Sequence, residues 1–358
     1  MTEPLDQKTG PSATLDAEGL KRFIRSRELG DAADLQTENI SFGHSNEVHL
    51  VHFEGKTWAL RRPPRGPLLP TAHDVMREYR VLAALQETPM PVPQVYASCD
   101  DPGYIGAPFY LMEYVRGKVI RPNLVPPSEP SFADTAQKRR AVSEGMIDLI
   151  ITLQAVHWRK VGLEGFGRSE GYLERQLRRW SDQLARTTPL TRPLPVMERI
   201  RAWLVTHMLP AQPATIVHGD FKLDNVMWEV SDHPRVLALF DWEMSTVGDP
   251  LADLGWMLTY WSDPSDGETR RAVVSSMEWE PGFYRRAEMA GLYEQKSGRA
   301  LRSFPFYEIF SLFKLAIILE GSYSRYLSGQ ADDPLFATYD QRVPDIADVA
   351  WRLCENAN

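Results

Sequence analysis

The sequence predicts an α+β fold in two lobes, a β-rich amino lobe over residues 1–115 and a mainly helical carboxyl lobe over residues 116–358. Three observations predict it. Short β-branched and aromatic runs separated by turn residues crowd the first part of the chain, and long helical periodicities dominate the rest. A brief β island, Thr215–Asp241, interrupts those helices and carries polar residues at its strand ends. At 358 residues the chain suits one large domain or two lobes.

In chain order, residues 1–13 are polar, and a helical pattern then runs from Leu15 to Leu29 with Gly30 as its stop. Ile40–Phe42, Val48–Phe53 and Thr57–Arg61 read as strands, the last two joined by a turn at Glu54-Gly55-Lys56. Four prolines make Arg62–Pro70 a loop. Thr71 is expected to cap a helix reaching Glu87, with Asp74 at its third position. Val92–Ser98 and Phe109–Val115 complete the amino-lobe strands. Helices are expected over Ser131–Trp158, Tyr172–Leu184, Val196–Met208, Leu251–Trp261, Tyr284–Ser297, Phe304–Tyr326 and Leu335–Cys354. Ligands favour the crevice between two such lobes.

Composition narrows the class. Hydrophobic residues make up 43% of the chain, enough for a core. A net charge of −8 argues against nucleic acid as a partner, because phosphate backbones call for basic patches. Cys99 and Cys354 lie far apart without CxxC spacing, which argues against a disulfide framework or structural zinc. The first residues lack a basic and an apolar signal region, and no apolar run reaches membrane length, so a cytoplasmic location away from membranes is expected.

The strongest chemical signal is His218-Gly219-Asp220-Phe221-Lys222-Leu223-Asp224-Asn225. Asp220 follows the apolar strand Thr215–Val217, and Asn225 comes five residues later. Asp241 ends a second apolar strand sixteen residues further on. Phosphoryl transfer from ATP accounts for these residue types. The transferred group is already activated, so protein groups mainly position reactants and neutralise charge. One carboxylate orients the acceptor hydroxyl and accepts its proton, a catalytic role that suits Asp220. An amide oxygen and a second carboxylate hold Mg²⁺, a hard cation, and Asn225 with Asp241 suit that role. Asx residues that merely form turns at strand ends are the plain alternative.

The Asp-x₄-Asn spacing resembles the catalytic loop of kinases. With Phe240-Asp241-Trp242-Glu243 and Gly248-Asp249-Pro250-Leu251-Ala252-Asp253-Leu254, the chain resembles the aminoglycoside phosphotransferase superfamily of kinase-like enzymes. It is similar above all to the kinase-like domains related to those fused to acyl-CoA dehydrogenases. Leu60-Arg61-Arg62-Pro63-Pro64, Arg77–Leu82 and Phe109–Val115 extend the resemblance over nearly the whole chain from about residue 35.

The resemblance implies a protein-kinase-like fold and a set of nucleotide-binding residues. It makes Ser41–Asn46 the nucleotide loop, in which Ser45 and Asn46 approach phosphate. It puts Arg61 where kinases carry a phosphate-pairing lysine, with Glu78 as its ion-pair partner. It assigns the main chain near Glu113 and Val115 to adenine, with Met112 behind the base. A bare turn, a solvated glutamate and a simple edge strand are the corresponding plain readings. Arg62 should face away from Arg61, since strand side chains alternate.

Other residues leave alternatives open. Asp249 is expected to cap Leu251–Trp261, and Asp253 to orient the catalytic loop. Glu243 suits either metal or solvent. His157 reads as a cap or core residue. Arg175, Arg178 and Arg179 read as a solvated face or an anion-attracting one, and Phe304, Phe306, Phe310, Phe313 and Ile317 as core. Tyr323 and Tyr326 are candidates for a substrate pocket. The expected function is transfer of a phosphoryl group to a hydroxyl of a small molecule. An aminoglycoside acceptor would use the acidic stretch Asp263, Asp266, Glu268, Glu278 and Glu280, whereas the subfamily points to a hydroxylated metabolite or hydroxyacyl thioester. A protein kinase or a nucleotide-binding pseudokinase are the alternatives. The former lacks an H-R-D, D-F-G and A-P-E set, and the latter conflicts with an intact Asp220, Asn225 and Asp241.

Overall fold

The computed structural model of the chain describes residues 15–40, 46–64, 74–120, 131–268, 270, 279–301 and 303–357. It divides into two compact units, Met1–Glu87 with Val92–Val115, and Thr88–Pro91 with Arg116–Asn358.

The first unit is built on five strands: β1 (Gln36–Asn39), β2 (Glu47–Phe53), β3 (Lys56–Arg62), β4 (Val95–Cys99) and β5 (Phe109–Glu113). They pair antiparallel in the order β1-β2-β3-β5-β4. β1 corrects the strand expected at Ile40–Phe42. It is a polar edge strand, held to β2 by the backbone ladder, and an edge strand needs no apolar side chains. Ile40 extends that ladder by one bond, its N–H donating to the Val48 carbonyl at 3.0 Å, and Phe42 lies outside the described residues. Between β2 and β3, Glu54 (φ 49°) and Gly55 (φ 70°) supply the two left-handed positions of a tight hairpin. β4 starts three residues later than expected, past Pro91 and Pro93, which cannot donate to a ladder.

Two helices accompany this sheet. Helix α1 (Ala17–Ser26) starts where Asp16 Oδ1 accepts the Gly19 N–H at 2.8 Å. Its buried Leu20, Phe23 and Ile24 form one face, and Phe23 meets Phe109 edge-on at 4.8 Å between centroids. A Cβ on Gly19 would lie 1.7 Å from the Tyr104 carbonyl oxygen, so only glycine permits this approach. Helix α2 (Val75–Leu85) is capped by Asp74, which accepts the Arg77 N–H at 2.9 Å. This corrects the expected start at Thr71, itself outside the described residues. Val75, Glu78, Val81, Leu82 and Leu85 make its buried face, so Glu78 occupies an otherwise apolar stripe.

The second unit holds α3 (Ala136–Ala155), α4 (Tyr172–Thr187), α5 (Pro195–Thr206), α6 (Leu251–Tyr260), α7 (Arg286–Ser297), α8 (Phe304–Leu327), α9 (Pro334–Ala337) and α10 (Tyr339–Asn356). The helix expected over Leu335–Cys354 arrives as α9 and α10, because the Thr338 N–H closes a tight bond to the Leu335 carbonyl. Helix α8 packs against α4, α5, α6 and α10 and buries Phe306, Phe310, Phe313 and Ile317. The β island is two ribbons. β6 (Thr215–Val217) pairs with β9 (Thr246–Gly248), and β7 (Val226–Trp228) pairs with β8 (Val236–Leu239). Both cysteines are buried and free, and no helix among the described residues is long and apolar enough to cross a membrane.

Candidate active site

Strand β6 ends at Val217 and the chain turns sharply through His218-Gly219-Asp220. Gly219 has φ 86°, and a Cβ there would lie 2.6 Å from the Met244 carbonyl oxygen, so the turn requires glycine. One carboxylate holds the turn. Asp253, fully within α6, accepts the His218 N–H at 2.6 Å on Oδ2 and the Gly219 N–H at 2.8 Å on Oδ1. Burial pushes the Asp253 carboxyl up, opposed by His218 and those two amides. The buried His218 ring spans two segments. Its Nε2 donates to the Phe240 carbonyl at 2.8 Å and its Nδ1 accepts the Asp220 N–H at 3.2 Å, which together select one tautomer.

Asp220 is thereby aimed by its backbone, and side chains fix its carboxylate. Oδ1 accepts the Trp256 indole N–H at 2.8 Å. Oδ2 accepts an Asn225 amide hydrogen at 2.9 Å and lies 3.1 Å from Lys222 Nζ. Burial alone would raise the Asp220 carboxyl, but Lys222, Lys314, His218 and the Asn225 hydrogen bond outweigh it and hold it below the usual carboxylate range. Lys222 shows the reciprocal effect. Burial would lower it, yet Asp220 and Asp224 hold it well above the ordinary lysine value. Burial pushes Asp224 up.

Asn225 and Asp241 come together at one end of the β7–β8 ribbon. The pairing Val226↔Leu239 is continued by the Phe240 N–H, which donates to the Asn225 carbonyl at 2.9 Å. Asn225 Nδ2 also donates to the Asp220 carbonyl at 2.8 Å, so Asp220 receives both amide hydrogens and the side-chain oxygen is turned the other way. Asp241 has φ 67° and ψ 57°, a left-handed conformation that costs energy in a non-glycine residue and is common where function dictates the backbone. An amide oxygen and a carboxylate are hard donors of the kind Mg²⁺ takes. Among the described residues no group of three or more His, Cys, Asp and Glu side chains suits a metal.

In the first unit, Arg61 Nε lies 2.8 Å from Glu78 Oε2, with 8% and 1% of these residues exposed. The plain reading of Glu78 as a solvated glutamate is thereby excluded. Arg62 pairs instead with Glu47, its Nη2 2.6 Å from Oε2, as strand alternation requires. Asn46 is buried just before β2, and Ser45 lies outside the described residues. Glu113 ends β5 with its side chain exposed and its N–H donated to the Gln94 carbonyl at 2.7 Å, and Val115 follows two residues on. Met112 is buried.

The remaining candidates sort by burial. Asp249 Oδ1 accepts the Leu251 N–H at 2.9 Å at the start of α6, and its Oδ2 accepts the Tyr307 hydroxyl at 3.0 Å. His157 is exposed, which corrects its reading as a cap or core residue, because the chain leaves α3 two residues earlier. Arg178 and Arg179 are exposed and Arg175 is half-buried, bonding the Arg168 carbonyl, so α4 carries a solvated basic face. Glu243 is half-buried.

Sequence reasoning overlooked three residues. Lys222 stood inside the motif without a role. Trp256 lies one turn after Asp253 on α6, a spacing that places both on one helix face. Lys314 is the sole basic residue between Phe304 and Ile318, and a lysine flanked by Phe313 and Leu315 in an otherwise apolar run is the signal that could have found it. It is buried in α8 and donates to the Gly219 carbonyl at 2.6 Å.

Comparison with known proteins adds to this geometry. A model of a phosphotransferase enzyme family matches residues 36–289. Acyl-CoA dehydrogenase family member 10 of Mus musculus is 33% identical over 333 residues, 93% of this chain and 30% of that protein. The chain thus spans about a third of that relative's length. A protein from Ralstonia eutropha JMP134, assigned as an aminoglycoside phosphotransferase, is 31% identical, covers 96% of this chain and 99% of its own, and superposes with a TM-score of 0.79. A thermostable mutant of aminoglycoside phosphotransferase APH(4)-Ia, in a ternary complex with AMP-PNP and hygromycin B, is 13% identical. It covers 94% of this chain and 98% of its own with a TM-score of 0.60, a likeness of fold.

Proposed function

The chain belongs to the phosphotransferase enzyme family, and from that premise we propose that it moves the γ-phosphoryl group of ATP, with Mg²⁺, to a hydroxyl of a small hydroxylated metabolite. Its kinase-like α+β fold and its relatives make it a phosphotransferase acting on hydroxyl groups. The observation that carries the finer reading is the Asp220 carboxylate. It is kept ionised by nearby cations and oriented by Trp256 and Asn225. Such a carboxylate suits a late proton transfer, in which Asp220 orients the acceptor hydroxyl and takes its proton as the P–O bond forms.

Asn225 and Asp241 would hold Mg²⁺, which when bound neutralises charge on the phosphates. Arg61, kept in place by Glu78, serves the nucleotide phosphates in this reading, and Asn46 with Ser45 would approach phosphate through the backbone. The Glu113 carbonyl and the Val115 N–H are the main-chain groups proposed for adenine. The AMP-PNP of the APH(4)-Ia complex supports a nucleotide donor. In the proposed division, residues 1–115 carry the nucleotide-binding sheet and residues 116–358 the catalytic and metal-binding loops and the acceptor site.

The acceptor is argued from the acidic stretch. Asp263 is consumed by Ser265 and by the Arg286 N–H, and Asp266 by the Asp263 N–H, Arg270 and Arg286. Glu280 pairs with Arg139, while Glu278 lies outside the described residues. Asp263, Asp266 and Glu280, already engaged, make poor anchors for a polycationic aminoglycoside, and Glu268 is exposed. The relation to acyl-CoA dehydrogenase family members favours a hydroxy acid or hydroxyacyl thioester. The test is a mass-spectrometric screen with Mg-ATP against hydroxy acids, hydroxyacyl thioesters and aminoglycosides. Gain of one phosphoryl group by a hydroxyacyl compound supports the reading, and gain by aminoglycosides alone overturns it.

A further inference from the structure

Resting on the reading of Asp220 as the acceptor-orienting carboxylate, we propose that Trp256 and Lys314 form a buried positioning brace that leaves one lone pair of Asp220 Oδ1 as the proton-receiving position. A carboxylate offers about four lone-pair positions. Among the described residues, Oδ2 takes two donors, Asn225 and Lys222, while Oδ1 takes one, the Trp256 indole at 2.8 Å. The second lone pair of Oδ1 is what remains for an acceptor hydroxyl.

The indole is itself held from three sides. Its helix is tied to the catalytic turn through Asp253, three residues back and on the same face. The Lys314 ammonium sits 3.7 Å from the centroid of the Trp256 ring and donates to the Gly219 carbonyl at 2.6 Å. The Tyr260 ring, one turn on, meets Trp256 edge-on at 5.1 Å between centroids. A cation over an indole face is among the stronger contacts of its kind when desolvated. It also polarises the ring and strengthens the N–H as a donor toward Asp220. A lysine buried to this degree in an apolar helix is costly, and at this place it links the backbone of Gly219 to the side chain that orients Asp220. The step it serves balances simply. The acceptor O–H proton passes to Oδ1, the acceptor oxygen bonds the γ-phosphorus, and the β–γ bridging bond breaks with its electron pair leaving on ADP.

The test uses the full chain labelled with ¹⁵N at its tryptophans. Trp256→Phe identifies the Trp256 indole resonance by its disappearance. Asp220→Asn is then expected to move that resonance upfield, since an N–H bonded to an amide is less deshielded than one bonded to a carboxylate, and Lys314→Met is expected to move the same resonance. With Mg-ATP and water as acceptor, Trp256→Phe is expected to lower kcat at least about tenfold while KM for ATP stays within about twofold. An indole resonance indifferent to Asp220→Asn, or a kcat unchanged in Trp256→Phe, overturns the brace. If Trp256→Phe fails to fold, the indole that responds to both Asp220→Asn and Lys314→Met carries the same decision. A wild-type chain that turns over no ATP with any acceptor would contradict the reading of Asp220, whereas the resonance shifts still judge the brace.

Discussion

Asn225 gives both of its amide hydrogens to one residue: Nδ2 lies 2.8 Å from the carbonyl oxygen of Asp220 and 2.9 Å from its Oδ2. The same bonds steer Asp220 and point the Asn225 oxygen elsewhere. Asn225→Asp removes both donors and sets a second negative charge beside Asp220. The expected loss is about a hundredfold in kcat, in the range seen when a charge-orienting group is removed. Steady-state ATP turnover checks it, and activity within a few-fold of wild type would remove Asn225 from the mechanism.

Asp241 adopts a left-handed backbone conformation that glycine adopts freely. Asp241→Gly is expected to raise stability by about 1 kcal/mol through relief of that strain. It should abolish the Mg²⁺-dependent part of stabilisation by ATP. Thermal unfolding with ATP, with and without Mg²⁺, separates the two effects. A variant that keeps its Mg²⁺-dependent shift would exclude Asp241 as a metal ligand.

Arg61 and Glu78 form a buried ion pair. Removing one partner strands a charge in the interior, so Glu78→Ala is expected to cost about 3–5 kcal/mol of unfolding free energy. Arg61→Met with Glu78→Leu should recover much of that stability while still weakening ATP binding. Denaturant unfolding and nucleotide titration on both variants provide the check. A double variant with wild-type affinity for ATP would leave Arg61 a purely structural role.

Lys314 has its ammonium pushed down to about 8 by burial, against the attraction of Asp220 and Asp253. The folded value lies below the unfolded one of 10.5, so between these limits the unfolded chain binds more protons and stability rises with pH. Charged at neutral pH, the group destabilises the fold by roughly 3 kcal/mol relative to its neutral form. Burial holds Tyr172, Tyr260 and Tyr307 above their ordinary value of 10.0. Their opposing contribution, stability lost as the unfolded tyrosines ionise, begins only near that pH. The wild type should therefore gain stability relative to Lys314→Met from pH 8 to pH 10. Parallel curves across that window would contradict the assignment.

The α+β class and most helices were legible because their signals are local. Periodicity marks α8, and Asp-Pro marks the start of α6. The edge strand β1 was misplaced because Gln36–Asn39 are polar and owe their conformation to a ladder with β2. The catalytic loop was legible because Asp220 and Asn225 share one short segment with fixed spacing. Trp256 and Lys314 were not, since they reach that loop from helices 36 and 95 residues away, and only packing brings them there. Glu78 was legible as a partner only through resemblance, since nothing in the helix period tells a buried glutamate from an exposed one.

The role of Asp220 in phosphoryl transfer is read most directly by ³¹P NMR of the purified chain with Mg-ATP and a panel of hydroxy acids, hydroxyacyl thioesters and aminoglycosides, run in parallel on Asp220→Ala. A new phosphomonoester signal should rise with ADP in the wild type. In Asp220→Ala, ATP binding should stay intact and transfer should slow by about a hundredfold or more. An Asp220→Ala variant that forms the phosphomonoester as fast as wild type would exclude Asp220 as the acceptor-orienting carboxylate, and a wild type that binds Mg-ATP and phosphorylates nothing in the panel would exclude the proposed transfer.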